Sequence, residues 1–274
     1  MDFELVKLEI DAEIATLSFN DPDNLNAMNQ TMLDSLGLAL DHVEDPDNNI
    51  RCLILTGEGR GFCAGANMAN DSSDENGAGG NTTSKNKLPD AGAGLETAYH
   101  PLLRRLRNMH CPIVSAVNGP CAGIGMSFAL MGDMVLAGKS AFFLQAFRRI
   151  GLVPDGGATF LLPRLVGMAR AKELTIMGER LSAEDALEWG LINRVYEDNA
   201  LLDEARALAG ELAKGPMSLG MIRNLLWESV DSTYENNSTM NAGHSAKRVV
   251  QKISWKACVL STKSARLIFR ASNA

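Results

Sequence analysis

The sequence is short of the features that mark several large classes of protein. It has five cysteines (Cys52, Cys63, Cys111, Cys121 and Cys258), an odd number with no C-x-x-C pair. That argues against a disulfide framework or a zinc site and for reduced thiols, and no metal is expected. No run of lysine and arginine stands out in the first 230 residues, and the net charge is −7. A nucleic-acid partner is therefore not expected. An acidic total still leaves room for an anionic ligand, because local amides and a few cations can hold phosphates. No apolar run reaches membrane-spanning length. The first residues also lack the layout of a secretory leader. The expectation is a cytoplasmic protein with no membrane partner.

Nucleotide-binding signatures are missing too. Residues 132–140 end in Gly138-Lys139-Ser140, but five residues separate the two glycines, where a phosphate-binding loop needs four. No G-x-G-x-x-G opens a helix after the first strand, which argues against a dinucleotide fold.

What is present is ordinary globular composition, 46% hydrophobic and 22% charged over 274 residues. That length suits one large domain or a domain with an appendage. Residues 5–10 and 13–19 alternate like two strands joined at Asp11-Ala12. Met28, Met32, Leu36, Leu40 and Val43 have helical spacing. Residues 51–56, 112–117, 134–137 and 141–144 read as strands. Residues 95–109, 170–177, 182–189 and 201–214 read as helices, the third capped by Ser182. Residues 70–94 are rich in Asn, Ser, Gly and Asp and read as a mobile surface loop. Strands followed by helices favour α/β layering.

Two glycine-rich turns follow two of these strands. The first contains Gly61-Phe62-Cys63-Ala64-Gly65-Ala66-Asn67 and the second Asn118-Gly119-Pro120-Cys121-Ala122-Gly123-Ile124-Gly125. Small residues let backbone approach a ligand and aim N–H groups at it. The second turn opens a helix, whose N-terminus favours negative charge. One amide from each turn could converge on a single oxygen as an oxyanion hole. Either turn alone is more simply explained by packing.

The stretches GFCAGAN, AVNGPCAGIGMSFALMGD and FRRIGLVPDGGATFLLPRLVG resemble, in order and spacing, three linked signatures of the crotonase (enoyl-CoA hydratase/isomerase) family. GERLSAEDALEWGLINRV is similar to its next helical segment. The resemblance covers about residues 3–236. It implies a ββα spiral over residues 1–200, a C-terminal helical region over 201–236, and a homotrimer or dimer of trimers. It implies no cofactor beyond a coenzyme A thioester bound as acyl-CoA substrate. By motif, the two amides holding the thioester oxygen belong to Ala66 and Ile124. Ala64, Gly65, Asn67 and Gly123 would line the substrate's path.

Hydratases of this family use two glutamates. Their positions here carry Ser127 and Phe147, neither of which replaces a carboxylate, so hydration by that route is not expected. One acid remains, Asp155 in GLVPDGG. The matching acid is the base in family enoyl-CoA isomerases, including the one acting on ring-epoxidised phenylacetyl-CoA. A double-bond shift needs a single base that removes a proton at one carbon and returns it at another. Asp155 lies between apolar residues, and burial there should raise its pKa. The plain alternative is a turn residue capping the next helix. A dehalogenase branch also places an Asp here, but pairs it with a Trp where this chain has Phe147.

Other residues carry less. His100 and His110 read as surface or packing groups, Arg148 and Arg149 as solvated, and Trp189 as core. Tyr99 could approach an acyl pocket, and Phe128 and Phe143 could shape it. The resemblance ends at Tyr234-Glu235-Asn236. Residues 237–274 are basic, yet read one base out of frame they permit a tail like the family's terminal helices. They are expected to be a frameshift product.

Overall fold

The computed structural model describes residues 1–67 and 91–250. The chain divides into two compact units, Met1–Leu219 and Gly220–Ala274. The first unit opens with β1 (Asp2–Phe3), β2 (Val6–Asp11), β3 (Ile14–Phe19), α1 (Gln30–Glu44) and β4 (Cys52–Gly57). Then come α2 (Ala91–Gly94), α3 (His100–Arg107), β5 (Ile113–Val117), β6 (Pro120–Ala122) and α4 (Ile124–Ala129). Next are β7 (Met134–Gly138), β8 (Phe142–Leu144), α5 (Phe147–Ile150) and α6 (Ala158–Lys172). The unit finishes with β9 (Arg180–Ser182), α7 (Ala183–Glu188), β10 (Arg194–Tyr196) and α8 (Leu201–Lys214). Beyond it lie α9 (Ser218–Ser229), which begins just before the boundary, and α10 (Tyr234–Val250).

The main sheet has seven strands in the order β1-β2-β3-β4-β5-β7-β10. Its first two pairings are antiparallel and the rest parallel, with Ile14 opposite Cys52 and Leu53 opposite Ile113. Every residue of β4 and β5 is buried. This explains their unbroken apolar character, since parallel strands are covered on both faces. α8 supplies part of that cover. Leu201, Ala205, Ala209 and Ala213 recur every fourth residue and pack with Cys52, Ile54, Val114, Ala116 and Leu136. Alanines on that stripe let the helix sit close to the sheet. Phe62 and Phe128 meet the edges of Phe19 at 5.4 and 6.1 Å, a favoured aromatic geometry.

A second sheet, β6-β8-β9, has three strands of three residues each. β6 and β10 are too short to leave a periodic signal, and sequence patterning did not reveal them. The helix expected from residue 170 begins at Ala158, and Gly167 (φ 77°) breaks it. That break explains why only its second half carried uninterrupted helical spacing. Of the loop expected over 70–94, residues 91–94 form α2 and the rest lies outside the described residues. α10 crosses position 237 as helix, and residues 251–274 lie outside the described residues. No described helix is long and apolar enough to cross a membrane.

Candidate active site

The two glycine turns lie side by side. Phe62 and Cys63 both donate to the Pro120 carbonyl at 3.1 Å, and Ala122 donates to Cys63 at 2.9 Å. Asn118 reinforces the junction by donating its Nδ2 to the carbonyls of Gly57 and Gly59. Sterics then dictate the small residues. A side chain at Gly119 would stand 2.2 Å from the Arg60 carbonyl oxygen, and one at Gly125 2.6 Å from that of Cys63. Gly65 and Gly123 have φ of 105° and 52°, and a Cβ on Gly123 would lie 4.0 Å from Gly65 Cα. The backbones thus meet at these two glycines.

Beside each glycine is one of the amides predicted from sequence. Ile124 is the first residue of α4, so its N–H has no partner within the helix. Ala66 follows Gly65 and is bracketed by a bond from Met28 to the Gly65 carbonyl and one from Asn67 to the Met28 carbonyl, both 2.8 Å. Neither the Ala66 nor the Ile124 amide takes a hydrogen-bond acceptor among the described residues. Two such donors on converging backbone can hold a developing oxyanion. Ala64 and Ala66 are exposed, Asn67 is half-buried, and Gly65 is buried.

Asp155 arrives on the segment between α5 and α6. Gly156 seats that segment on the first turn of α4, for a Cβ there would lie 2.4 Å from Ile124 Cδ1 and 2.8 Å from Ser127 Cβ. Ser127 is fully buried and donates its hydroxyl to the Asp155 carbonyl at 3.2 Å. The capping alternative involves the wrong part of Asp155. Its carbonyl accepts from Ala158 at 2.9 Å, while Gly157 caps α6 without a side-chain bond. The Asp155 carboxylate takes no part in that cap. Its Oδ1 is buried with no hydrogen-bond partner. Burial pushes the carboxyl up to about 6, against the lowering field of His100. A carboxylate in this state can accept a proton near neutral pH. Phe147 is buried at the start of α5, with its ring tip 3.7 Å from where a Gly123 Cβ would be. It therefore walls the turn with an apolar face.

His100 is partly buried, and its Nδ1 lies 2.9 Å from Glu96 Oε1, a contact at the surface. Two readings from sequence need correction. Phe128 and Phe143 have no exposed surface, and Phe128 packs on Phe19, so these rings belong to the core. Trp189 is only half-buried, with the Arg170 guanidinium 5.2 Å over its ring. Tyr99 is buried, and its hydroxyl lies 3.5 Å from the Met28 carbonyl beside the Ala66 turn. His110 bonds the Ile50 carbonyl at 2.9 Å, a packing role. Arg148 and Arg149, exposed as expected, donate to the carbonyls of Met177 and Gly178. Among the described residues no three His, Cys, Asp or Glu side chains cluster as a metal would require.

Known proteins share this arrangement of sequence and fold. The pattern of the enoyl-CoA hydratase/isomerase family matches residues 9–257. A 1,2-epoxyphenylacetyl-CoA isomerase from Escherichia coli (strain K12) is 42% identical over 233 residues, 85% of each chain. A probable enoyl-CoA hydratase from Rhodobacter capsulatus is 36% identical over 220 residues, 79% of this chain and 78% of its own. A crystal structure of enoyl-CoA hydratase subunit I from Geobacillus kaustophilus HTA426 matches with a TM-score of 0.84 at 25% identity. It covers 96% of this chain and 97% of that one. With its signature turns in place and its length matched on both counts, the chain belongs to the enoyl-CoA hydratase/isomerase family.

Proposed function

We propose that this protein is an acyl-CoA isomerase that shifts a carbon–carbon double bond, with Asp155 as its base. The observation that carries the reading is the Asp155 carboxylate itself, whose Oδ1 is buried and unpartnered, on a segment that Gly156 seats against the first turn of α4. Ser127 and Phe147 stand where a hydratase would need further acids. The likeness to an isomerase acting on 1,2-epoxyphenylacetyl-CoA supports the same reading.

The chemistry on a 3-enoyl thioester runs in two steps. The Asp155 carboxylate takes a proton from the carbon next to the thioester carbonyl. The electron pair of that C–H bond moves into a dienolate, whose oxygen is held by the Ala66 and Ile124 amides. Asp155 then returns the proton at the fourth carbon, leaving the double bond conjugated to the carbonyl. Nothing is consumed, so one carboxylate suffices. A pKa of about 6 keeps it ionised at neutral pH without making it too weak a base. Gly65, Asn67 and Gly123 border the thioester, and Ala64 lies toward the coenzyme A moiety.

The test compares three substrates with the parent chain and Asp155→Asn: a 3-enoyl-CoA, a 2-enoyl-CoA with water, and the phenylacetyl-CoA ring epoxide. Turnover of the first or third is expected, falling by about 10² to 10⁴ in the variant with acyl-CoA binding retained. A parent that binds acyl-CoA and turns over none of the three would instead be a non-catalytic binder. Hydration of the 2-enoyl ester alone would also sink the isomerase reading.

A homotrimer or a dimer of trimers belongs to the same proposal. Ile150, Leu152, Val153, Ile176 and Met177 are exposed, Val153 at 80%. The Arg148 and Arg149 bonds tie these two segments together. Exposed apolar groups so clustered suit self-association. Light scattering should give three or six times the 29.5 kDa chain mass.

A further inference from the structure

Residues 21–28 lie as a strap across the first glycine turn and bond it along its length. Ala64 donates to the Leu25 carbonyl at 3.0 Å, Met28 donates to Gly65 and Asn67 donates to Met28, the last two at 2.8 Å. Met28 and Ala66 therefore stand opposite each other as a parallel pair. In that register the bonds to Met28 come from the residues on either side of Ala66, and the N–H of Ala66 itself is turned away from the strap.

One side chain fixes this strap. Asn26 has no exposed surface. Its Nδ2 donates to the carbonyls of Glu58 at 3.0 Å and Gly61 at 2.7 Å, and its Oδ1 accepts from the Asp21 amide at 2.8 Å. Two acceptors on one side and a donor on the other settle which way the amide faces. Space is left for it, since an added Cβ on Gly57, at the end of β4, would lie 2.7 Å from Nδ2. Leu25 and Asn26 both hold left-handed backbone, with φ of 52° and 57°. Asparagine tolerates that conformation, but leucine stays there only where its surroundings hold it. Here the Leu25 carbonyl receives the Ala64 amide.

We infer that Asn26 is a positioning residue that fixes the aim of the Ala66 amide. The inference rests on Ala66 and Ile124 being the donor pair of the proposed reaction. Through Gly61 the Asn26 side chain grips the start of the glycine turn, and through Leu25 and Met28 the strap grips the rest. Turn and strap are thereby held as one body. Without the side chain the buried Gly61 carbonyl loses this donor, and the strap is released on its inner side. A donor to developing charge contributes fully only when its direction is set beforehand. With both ends of its amide engaged and no exposed surface, Asn26 does not reach the substrate itself. Its loss should therefore show in kcat and in the polarisation of the bound thioester, and hardly in affinity.

The experiment pairs isomerase kinetics on 3-hexenoyl-CoA with isotope-edited infrared spectra of bound hexanoyl-CoA, labelled at its carbonyl carbon and unable to isomerise. Two aimed donors lower the stretching frequency of the thioester carbonyl, so its band reports the oxyanion site without turnover. The chains are the parent, Asn26→Gly, Val43→Ala and Asp155→Asn. Asn26→Gly keeps a residue suited to left-handed backbone and removes only the side chain. It should lose at least half of the parent's downshift. Its kcat should fall by about 10- to 100-fold, less than the outright loss of a donor, with KM within about threefold. Val43→Ala, a deletion at a buried position of α1, should lose stability and keep both band and kcat. A parental band in Asn26→Gly, or an equal loss of downshift in Val43→Ala, overturns the inference. Should Asn26→Gly fail to fold, Asn26→Asp decides at about pH 5.5, where a buried carboxyl is protonated and donates to one carbonyl in place of two. A parental band there is equally fatal. A parent that binds hexanoyl-CoA with no downshift would overturn the donor pair and this inference together. Asp155→Asn should keep the full downshift and lose turnover. Turnover surviving in it would overturn the proposed base, while a downshift lost in Asn26→Gly alone would still bear this inference out.

Discussion

Ala66 and Ile124 reach the site on backbone with no spare room around it, whereas Asp155 reaches it on a segment flanked by open space at Gly151 and Gly157. The glycine turns exchange three backbone hydrogen bonds through Phe62, Cys63 and Ala122. At Gly119 and Gly125 they leave no room for a single added carbon. The Asp155 segment is seated at Gly156, but at Gly151 and Gly157 an added Cβ would meet nothing within 4 Å. Leu152 and Val153 between them are exposed. A donor pair for an oxyanion works only if its geometry is preset, so rigid backbone suits it. The base proposed in Asp155 would have to serve two positions, one carbon that gives the proton and one that receives it, which suits a side chain on a less constrained segment.

The largest expected effect lies in the rigid half. In Gly125→Ala the new carbon would stand 2.6 Å from the Cys63 carbonyl oxygen and 2.7 Å from its Cβ and Sγ. Two turns must move apart to admit it. Urea unfolding should show a loss of about 2 to 3 kcal/mol. Isomerase kcat/KM should fall by about 100-fold or more as the donor pair splays. A variant with parental stability and rate would show that the turns yield easily, and the contrast between the halves would be gone.

Next is a gain of stability in the other half. Burial lifts the Asp155 carboxyl from 3.8 to about 6, so the folded state holds its proton more tightly than the unfolded chain. Below about pH 4 both states are protonated and nothing is lost. Through pH 4 to 6 the unfolded chain gives up its proton first, and stability falls. Above pH 6 the full penalty applies, about 2 kcal/mol once partial exposure is allowed for. Asp155→Asn should therefore raise Tm at pH 8 by roughly 4 to 6 °C and leave it nearly unchanged at pH 4. Equal shifts at the two pH values would point to packing rather than to a buried charge.

What the sequence disclosed follows the same division. The glycine turns were legible because steric exclusion at Gly119 and Gly125 writes itself into consecutive residues. α8 was legible because one helix face meets one sheet face, and its alanines repeat at that period. Asp155 was legible only through its motif. Nothing local separates it from a turn residue, and the difference lies in which of its atoms are bonded. Phe128 misled for a related reason. It stands in a signature stretch beside a site residue, but its helix turns it onto Phe19.

A smaller effect is expected where the halves touch. Ser127→Ala removes the hydroxyl that bonds the Asp155 carbonyl at 3.2 Å. That carbonyl keeps a second donor, the Ala158 amide at 2.9 Å, so no orphaned acceptor results. The cost should be about 0.5 to 1 kcal/mol in chemical unfolding. Turnover should fall by a few-fold through kcat, with KM held, because only the aim of the carboxylate loosens. A large rise in KM instead would mean that Ser127 touches substrate directly.

The smallest effect tests the looser half on its own terms. Gly157 has φ of 81°, but an added Cβ would find no atom within 4 Å. Gly157→Ala therefore meets a conformational penalty and no clash. A left-handed alanine costs about 1 kcal/mol, and the open space around Gly157 lets this stretch shed part of that by relaxing. Unfolding should register 1 kcal/mol or less, and kcat/KM should stay within about threefold of the parent. Gly157→Asn should cost less again, since asparagine tolerates this conformation better than alanine. The pairing with Gly125 is the informative part, for both changes add the same single carbon to a glycine bordering the same site. If Gly157→Ala proved as damaging as Gly125→Ala, the Asp155 segment would be as tightly determined as the turns. The base would then act from a fixed point, and delivery of a proton to two carbons would have to come from movement of the substrate.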